Sequence, residues 1–163
     1  MRPPRTPRLP PPAVRGHNGA RMKSRLPFWT VLLAVAATGA WLRADRLGAR
    51  PMHTDEAVQA VKFGDLLEQG HYVYNPREYH GPTLYYLTVP WARALGARSL
   101  ADMTEARLRA VPLAFGVGLV LLSALLVPAL GRGGAAAAAA ALALNPFLVY
   151  YSRYYIQETL LVF

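Results

Sequence analysis

Three segments of the chain carry no charged residue, and each is about as long as a membrane-spanning helix. They are residues 26–42 (LPFWTVLLAVAATGAWL), 111–130 (VPLAFGVGLVLLSALLVPAL) and 135–151 (AAAAAAALALNPFLVYY). A spanning α-helix needs about 17 to 25 predominantly apolar residues. A fourth apolar run, residues 154–163, is still in progress at the last residue, which indicates the N-terminal part of a longer membrane protein. The pattern predicts an all-α integral membrane fold with three transmembrane helices and the start of a fourth.

The flanks of the first apolar segment suit a transmembrane helix. Arg25 and Arg43 close it on either side, and their long side chains can snorkel to an interface. Trp29 and Trp41 lie near its two ends, where interfacial aromatic residues are common. A cleaved signal peptide is the alternative, with residues 38–40 (TGA) as the processing site. The basic leader is long for that class and further apolar segments follow, so we predict an uncleaved helix.

Two breaks divide the later apolar segments. The sequence GRGG at residues 131–134 separates the second segment from the third. Asn145-Pro146 is predicted to kink the third helix or to end it, because proline cannot donate a helix hydrogen bond. A soluble helical bundle is the alternative interpretation, but a chain of 163 residues has too little polar surface to cover three such helices.

The excess positive charge, +9 at pH 7, is concentrated at the N-terminus. Residues 1–25 hold seven basic residues and no acidic one, whereas nine basic and eight acidic residues nearly cancel in residues 43–110. The Pro- and Arg-rich tail is predicted to be disordered, and it lacks the aromatic residues on which nucleic-acid bases stack. Since basic flanks stay in the cytoplasm, we predict a multi-pass cell-membrane protein with a cytoplasmic tail and an extracytoplasmic loop at 43–110.

The outer loop is predicted to begin with an amphipathic helix that lies on the membrane surface or on other helices. Thr54 is the expected N-cap and Gly70 the expected C-cap. Gln59 lies off the predicted apolar face. That face consists of positions at helical spacing, namely Ala57, Ala60, Val61, Gly64 and Leu67.

Two more interfacial stretches follow in the loop. A helix is predicted over residues 83–95 after Pro82, and residues 100–109 form a further amphipathic stretch. The aromatic residues between and within them suit either a headgroup-level belt or a sugar-stacking surface, and the sequence leaves both open. They are Tyr72, Tyr74, Tyr79, Tyr85, Tyr86 and Trp91.

Three carboxylates are predicted to lie at the same outer interface. Asp55 and Glu56 follow the first span, and Glu158 follows the third. Acids in the first turn of a helix also favour the helix dipole without any catalytic purpose, so both interpretations of Asp55 and Glu56 stand. The chain has no cysteine, which excludes disulfides and cysteine metal sites in it.

Three motifs, in order and between predicted spans, carry a family resemblance. They are Asp55-Glu56-Ala57, YHGPTLYY at residues 79–86, and YYSR at residues 150–153 followed by Glu158. As a set they resemble the GT-C class of integral-membrane glycosyltransferases, the superfamily of protein O-mannosyltransferases and aminoarabinose transferases. The resemblance is greatest to the prokaryotic branch of flippase activity-associated proteins, and it covers residues 27–163.

The resemblance implies that a sugar moves from a polyprenyl-phosphate donor to a glycan, lipid or protein acceptor on the extracytoplasmic face. It implies Asp55 as the general base, whose partial desolvation near the membrane would strengthen it, and Glu56 as a group that orients Asp55 or binds the acceptor. Arg153 would pair with the lipid phosphate. The implied substrate-binding residues are Tyr79, His80, Tyr85, Arg153 and Glu158.

The sequence departs from the family pattern in places. Gln157-Glu158 stands where related proteins often have Asn-Asp, Gly81 replaces the first proline after His80, and Glu78 is displaced from the usual loop glutamate. Mg²⁺ or Mn²⁺ would accept carboxylate ligands. The candidate ligands are Asp55, Glu78 and Glu158, and the sequence leaves the use of a metal open.

A non-catalytic function is the alternative. The chain would then bind lipid-linked glycans and assist their translocation without transferring the sugar. A transporter is less favoured, because no carboxylate lies inside a predicted span before Glu158.

Overall fold

A computed structural model describes residues 27–77 and 81–163. The predictions made for the 1–25 tail and for Glu78, Tyr79 and His80 lie outside the described residues. Within the described residues the fold is all-helical, as predicted, with two short 3₁₀ turns before and after the fourth helix. The α-helices are α1 Phe28–Ala44, α2 Thr54–Gln69, α3 Thr83–Ala94, α4 Glu105–Leu122, α5 Val127–Leu144, α6 Pro146–Tyr151 and α7 Glu158–Val162.

Helices α1, α4 and α5 pack together through a small apolar core. Leu32 and Ala36 of α1 share a buried cluster with Val120, Ala139 and Ala143. Residues later in α1 contact residues earlier in α4, and residues later in α1 contact residues later in α5. The chain therefore runs antiparallel from α1 to α4 and returns parallel to α1 in the second half of α5.

Small residues allow α1 and α5 to approach closely. A Cβ atom at Gly39 would lie 3.1 Å from Cβ of Ala143, which is a tight contact for two side-chain carbons. Small residues at helix interfaces let backbones come together and gain packing contacts. The alanine-rich third segment therefore packs closely against α1.

The long apolar stretch from Glu105 to Leu144 reverses direction at Gly131. This residue has φ 68° and ψ 171°, outside helical geometry and in a region that favours glycine. The stretch covers 40 residues, from α4 through the second 3₁₀ turn to the end of α5, and it is the one helical stretch in the described part of the chain that is long and apolar enough to cross a membrane. The shorter apolar helix α1 has 17 residues. Helices of this kind also occur as core helices of soluble proteins, so the three predicted spans stay a prediction.

The helix bounds differ from the predicted segments. Helix α4 begins six residues before position 111, at Glu105, because the hydroxyl of Thr104 accepts the N–H of Arg107 at 3.3 Å and caps the helix. Helix α5 ends at Leu144, and Asn145 caps the separate helix α6 by accepting two backbone N–H groups. The prediction that Asn145-Pro146 interrupts the helix is confirmed.

Helix α2 buries a different face from the predicted one. Ala60 and Gly64 are buried as expected, but Ala57 and Val61 are exposed and Gln59 is buried. The buried face is shifted by about one residue around the helix from the predicted face. The reason is that the side chain of Glu56 points into the protein and pairs with Arg109. The buried residues of α2 are Glu56, Gln59, Ala60, Phe63, Gly64 and Leu66.

The cap of α2 is also shifted by one residue. His53, not Thr54, is the N-cap, and its Nδ1 accepts the N–H of Asp55 at 3.4 Å. The carboxylate of Glu56 accepts the N–H of His53 at 3.0 Å, which completes a capping box. Gly70 ends the helix with φ 76°, as predicted.

A second core joins α2 and α3 to the start of α4 and to the segment after α6. Its members are apolar or aromatic side chains from all four elements, so the first turn of α2 is held next to residues 152–157. The largest of them are Phe63, Leu66, Leu84, Tyr85, Leu108 and Tyr155.

Candidate functional site

Glu56 and Arg109 form an ion pair inside the protein. Nε of Arg109 donates to Oε1 of Glu56 at 2.8 Å, and Nη2 donates to Oε2 at 2.9 Å. Neither side chain is exposed. A two-point contact of this kind is the strongest geometry available to an arginine and a carboxylate.

The carboxylate of Glu56 has further donors. Oε1 accepts the backbone N–H of Tyr155 at 2.9 Å, Oε2 accepts that of His53 at 3.0 Å, and Nη2 of Arg50 lies 3.4 Å from Oε2. Burial raises the pKa of Glu56, but the hydrogen bonds from Arg109, Tyr155 and His53 and the charge of Arg109 outweigh it, so the pKa lies below its ordinary value. Glu56 therefore stays ionised at neutral pH.

These contacts give Glu56 a different position from the one expected for a catalytic partner. Its carboxylate faces Arg109, while the side chain of Asp55 points to solvent on the next position of the helix. Adjacent positions on an α-helix are about 100° apart, so the two acids cannot face the same way. Within the described part of the chain, Glu56 joins α2 to α4 and to the segment after α6.

Arg109 was not singled out by the sequence analysis. It also donates to the backbone carbonyls of Leu47, Arg50 and Pro51, at 2.8, 3.1 and 3.2 Å. It thereby fixes the loop between α1 and α2 as well as Glu56. In the sequence Arg109 resembles an ordinary basic flank of an apolar segment, and no local spacing connects it with an acid 53 residues earlier.

Asp55 lies on the surface at the start of α2. Its side chain is 72% exposed, and Oδ2 is 3.4 Å from Nδ1 of His53. The partial desolvation that the sequence analysis expected is therefore not provided by the described residues. An exposed carboxylate beside an imidazole is open to an incoming hydroxyl group and can accept its proton.

The ring of Tyr154 lies near His53, and Arg50 and Tyr150 contact Tyr154. The guanidinium of Arg50 lies 3.4 Å from the ring centroid of Tyr154, a cation–π contact. The ring centroid of His53 is 6.5 Å from that of Tyr154, and the hydroxyls of Tyr150 and Tyr154 are 2.6 Å apart. The YYSR motif therefore begins at the same end of the bundle as Asp55.

Tyr85 and Arg153 are engaged within the fold. Tyr85 is buried and its hydroxyl donates to Oε1 of Gln59 at 2.5 Å, so in this structure its ring is part of the core. Arg153 donates to the carbonyls of Leu42 and Asp45 at 2.9 and 2.5 Å, which satisfies the C-terminal end of α1.

Glu158 opens α7 and is exposed. It borders a cavity of about 280 Å³ together with Arg43, Ser152 and Thr159. Among the described residues, no group of three His, Cys, Asp or Glu side chains is arranged to hold a metal ion. Asp55 and Glu158 are thus not joined in such a group, and Glu78 lies outside the described residues.

Arg43 occupies a different place from the predicted interface. The sequence analysis expected its side chain to snorkel, but it is fully buried and donates to carbonyls of α5. The signal for this was weak, because an arginine at the end of an apolar segment is the usual flank of a span. Two of its acceptors, the carbonyls of Leu142 and Ala143, lie on a helix about 100 residues further along the chain.

The geometry places the exposed carboxylate of Asp55 on a surface that also presents imidazole, guanidinium and phenol groups. No protein-family model matches the chain, and comparison with curated proteins and with solved structures finds no similar protein.

Proposed function

We propose that the chain belongs to an integral-membrane glycosyltransferase of the GT-C class. It would transfer a sugar from a polyprenyl-phosphate donor to an acceptor on the extracytoplasmic face of the cell membrane, with Asp55 as general base. The proposal rests on the three motifs of the sequence and on the side chains that the fold brings together.

One observation carries the proposal further than the motifs do. Oε1 of Glu56 accepts the N–H of Tyr155 at 2.9 Å, although the two residues are 99 positions apart. This contact brings the Asp55-Glu56 pair and the segment that follows YYSR to one end of the helical bundle. A transferase that acts on one lipid-linked substrate needs these groups in the same compartment.

Exposed apolar side chains support a position in the membrane. Trp29, Leu33 and Trp41 of α1 and Leu125 after α4 are all exposed. Large exposed apolar surfaces mark contact with a membrane or another protein. The antiparallel course of α1 and α4 and the reversal at Gly131 fit a multi-pass topology with the tail in the cytoplasm.

The proposed reaction is a displacement at the anomeric carbon of the donor sugar. The acceptor oxygen forms the new bond, Asp55 takes its proton, and the lipid phosphate leaves with the electron pair of the broken bond. Positioned general bases contribute about 10²–10⁴-fold to rate. Nδ1 of His53 accepts the backbone N–H of Asp55 at 3.4 Å and so fixes the backbone of this residue at the start of α2.

The test is transfer of a labelled sugar in membranes by the Asp55→Asn variant. We expect a loss of about 10²–10⁴-fold. Asp65→Asn is the matched control, because Asp65 is an exposed acid of the same helix, and it should retain wild-type transfer. Wild-type turnover by Asp55→Asn would refute Asp55 as base.

A non-catalytic binder of lipid-linked glycans is the second candidate. It is favoured by the engagement of Glu56, since only Asp55 of the acidic pair is open to a substrate. This function predicts glycolipid binding without transfer, and binding that is unchanged by Asp55→Asn.

A further inference from the structure

The segment after α6 contacts both α2 and α3 through a single residue, Tyr155. Its backbone N–H donates to Oε1 of Glu56 at 2.9 Å, and its hydroxyl donates to Oγ1 of Thr88 at 2.9 Å. Tyr155 and Thr88 are both fully buried. These two bonds therefore fasten α2 and the middle of α3 to the segment that follows the YYSR motif.

Gln157 adds a third contact two residues further along the chain. Its Nε2 donates to the backbone carbonyl of Gly81, which belongs to the YHGPTLYY motif at residues 79–86. A Cβ atom at Gly81 would lie 3.6 Å from Oε1 of Gln157, an ordinary van der Waals distance. The amide of Gln157 thus lies directly against the described part of the second motif.

The carbonyl of Gly81 takes its hydrogen bond from outside α3. The hydrogen bonds at the start of this helix begin one residue later, where the N–H of Tyr86 donates to the carbonyl of Pro82 at 3.1 Å. Gly81 is half-buried and has no side chain that could pack against the core. The position of this turn therefore depends on the amide of Gln157 more than on burial.

The backbone of Gln157 is itself held in place. Its carbonyl accepts the N–H groups of Leu160 and Leu161 at 3.0 and 3.1 Å, at the start of α7. Tyr155, two residues earlier, is fixed by its two buried bonds. The side chain of Gln157 therefore transmits the position of the segment after α6 to the turn before α3.

We infer that Gln157 is a positioning residue of the proposed transferase. It holds the second motif at the end of the bundle where Asp55 and Glu56 lie, so that all three motifs act on one substrate. The inference rests on the proposed function, because positioning is measured by transfer. Loss of the Gln157 bond leaves the bond between Tyr155 and Thr88 in place, so α3 stays packed while the turn before it moves.

The test is the steady-state transfer of a labelled sugar in membranes by Gln157→Asn and Gln157→Glu. Asparagine is one methylene shorter and does not reach the carbonyl of Gly81, whereas an ionised glutamate keeps the length but has no N–H to donate. We expect the KM for the donor or for the acceptor to rise about twofold to tenfold in both variants, the effect of one hydrogen bond. The kcat should stay unchanged, because binding is weakened while the chemistry at Asp55 is not altered.

Gln69→Glu is the matched control, since Gln69 is an exposed glutamine at the end of α2. It should leave KM and kcat unchanged, and the melting temperature should stay close to the wild-type value in all three variants. Wild-type KM values in both Gln157 variants would overturn the inference. A wild-type protein that transfers no sugar would instead refute the proposed function.

A second measurement does not need transfer activity. The chain has no cysteine, so Gly81→Cys and Gln157→Cys can be combined and joined by a short bifunctional thiol reagent. This pair should cross-link within one chain, and Gly81→Cys combined with Gly133→Cys should not. Absence of the cross-link between positions 81 and 157 would overturn the inference in an active protein. A cross-link in a protein that transfers no sugar would refute the proposed function but still support the contact between the two motifs.

Discussion

Arg109 holds Glu56 by two hydrogen bonds of 2.8 and 2.9 Å, although the residues lie 53 positions apart on α4 and α2. The pair is fully buried and receives two backbone N–H groups in addition. It connects the loop after α1, the first turn of α2, the start of α4 and the segment after α6. The position of Asp55 follows from this arrangement, because Asp55 is the neighbour of Glu56 on the same turn.

We expect Glu56→Gln to destabilise the protein by about 3–5 kcal/mol, because it leaves the charge of Arg109 buried and unpaired. Arg109→Met should destabilise the protein by a similar amount, because it leaves the negative charge of Glu56 buried and unpaired. The double variant should lose less free energy of unfolding than the two single variants lose together. Denaturant unfolding in a double-mutant cycle would measure this difference. Asp65→Asn, an exposed acid on α2, should be close to neutral. Additive losses in the double variant would show that the pair is not coupled.

Acidification should weaken the fold through Glu56. Its pKa in the folded protein lies below the ordinary value of 4.5. The stabilisation is therefore complete above the ordinary pKa and is lost as the pH falls through the lower, folded-state pKa. We expect the melting temperature to fall between neutral pH and pH values below 4.5, and to fall less in Glu56→Gln. An identical pH dependence in both proteins would contradict this assignment.

Gly39→Val should separate α1 from α5. Its first side-chain carbon would lie 3.1 Å from Cβ of Ala143 and 3.2 Å from Nη1 of Arg43. Overpacking of this kind costs about 1–3 kcal/mol, which a thermal unfolding curve would detect. Gly133→Val is the control, since a Cβ at Gly133 meets nothing within 4 Å. Equal stability of the two variants would show that the helices can move apart freely.

Residues 55 and 158 should face the same compartment. The chain has no cysteine, so Asp55→Cys and Glu158→Cys can be labelled singly in intact cells with a membrane-impermeant thiol reagent. Both should react from outside, and Gly133→Cys, beside the reversal at Gly131, should react only after the membrane is opened. Labelling of positions 55 and 158 from opposite sides would refute the topology on which the proposed transferase depends.

The sequence predicted the parts of the fold that depend on local chemistry. Gly70 ends α2 because a left-handed C-terminal residue favours glycine, and Asn145-Pro146 interrupts the third apolar segment because asparagine caps helices and proline breaks them. The reversal falls at Gly131, within the predicted GRGG break. Each of these signals lies within a few residues of the feature that it predicts.

The sequence did not predict features that depend on distant partners. The buried face of α2 is rotated because Glu56 pairs with Arg109, and apolar periodicity alone takes a glutamate as exposed. Arg43 is buried for a similar reason, since two of its carbonyl acceptors, those of Leu142 and Ala143, lie on α5. The exposure of Asp55 follows from the same rotation, so the surroundings of the candidate base could not be inferred from its own segment.

The connections of Glu56 also impose an order on biosynthesis. A ribosome releases the N-terminal part of a chain first, yet the acid at position 56 meets Arg109 and Tyr155 only after 53 and 99 further residues have been made. Until then the charge of Glu56 on the nascent α2 has neither of these partners, so the side chain stays exposed to water. We therefore expect α2 to pack into the fold late, after the segment that follows α6 has been synthesised.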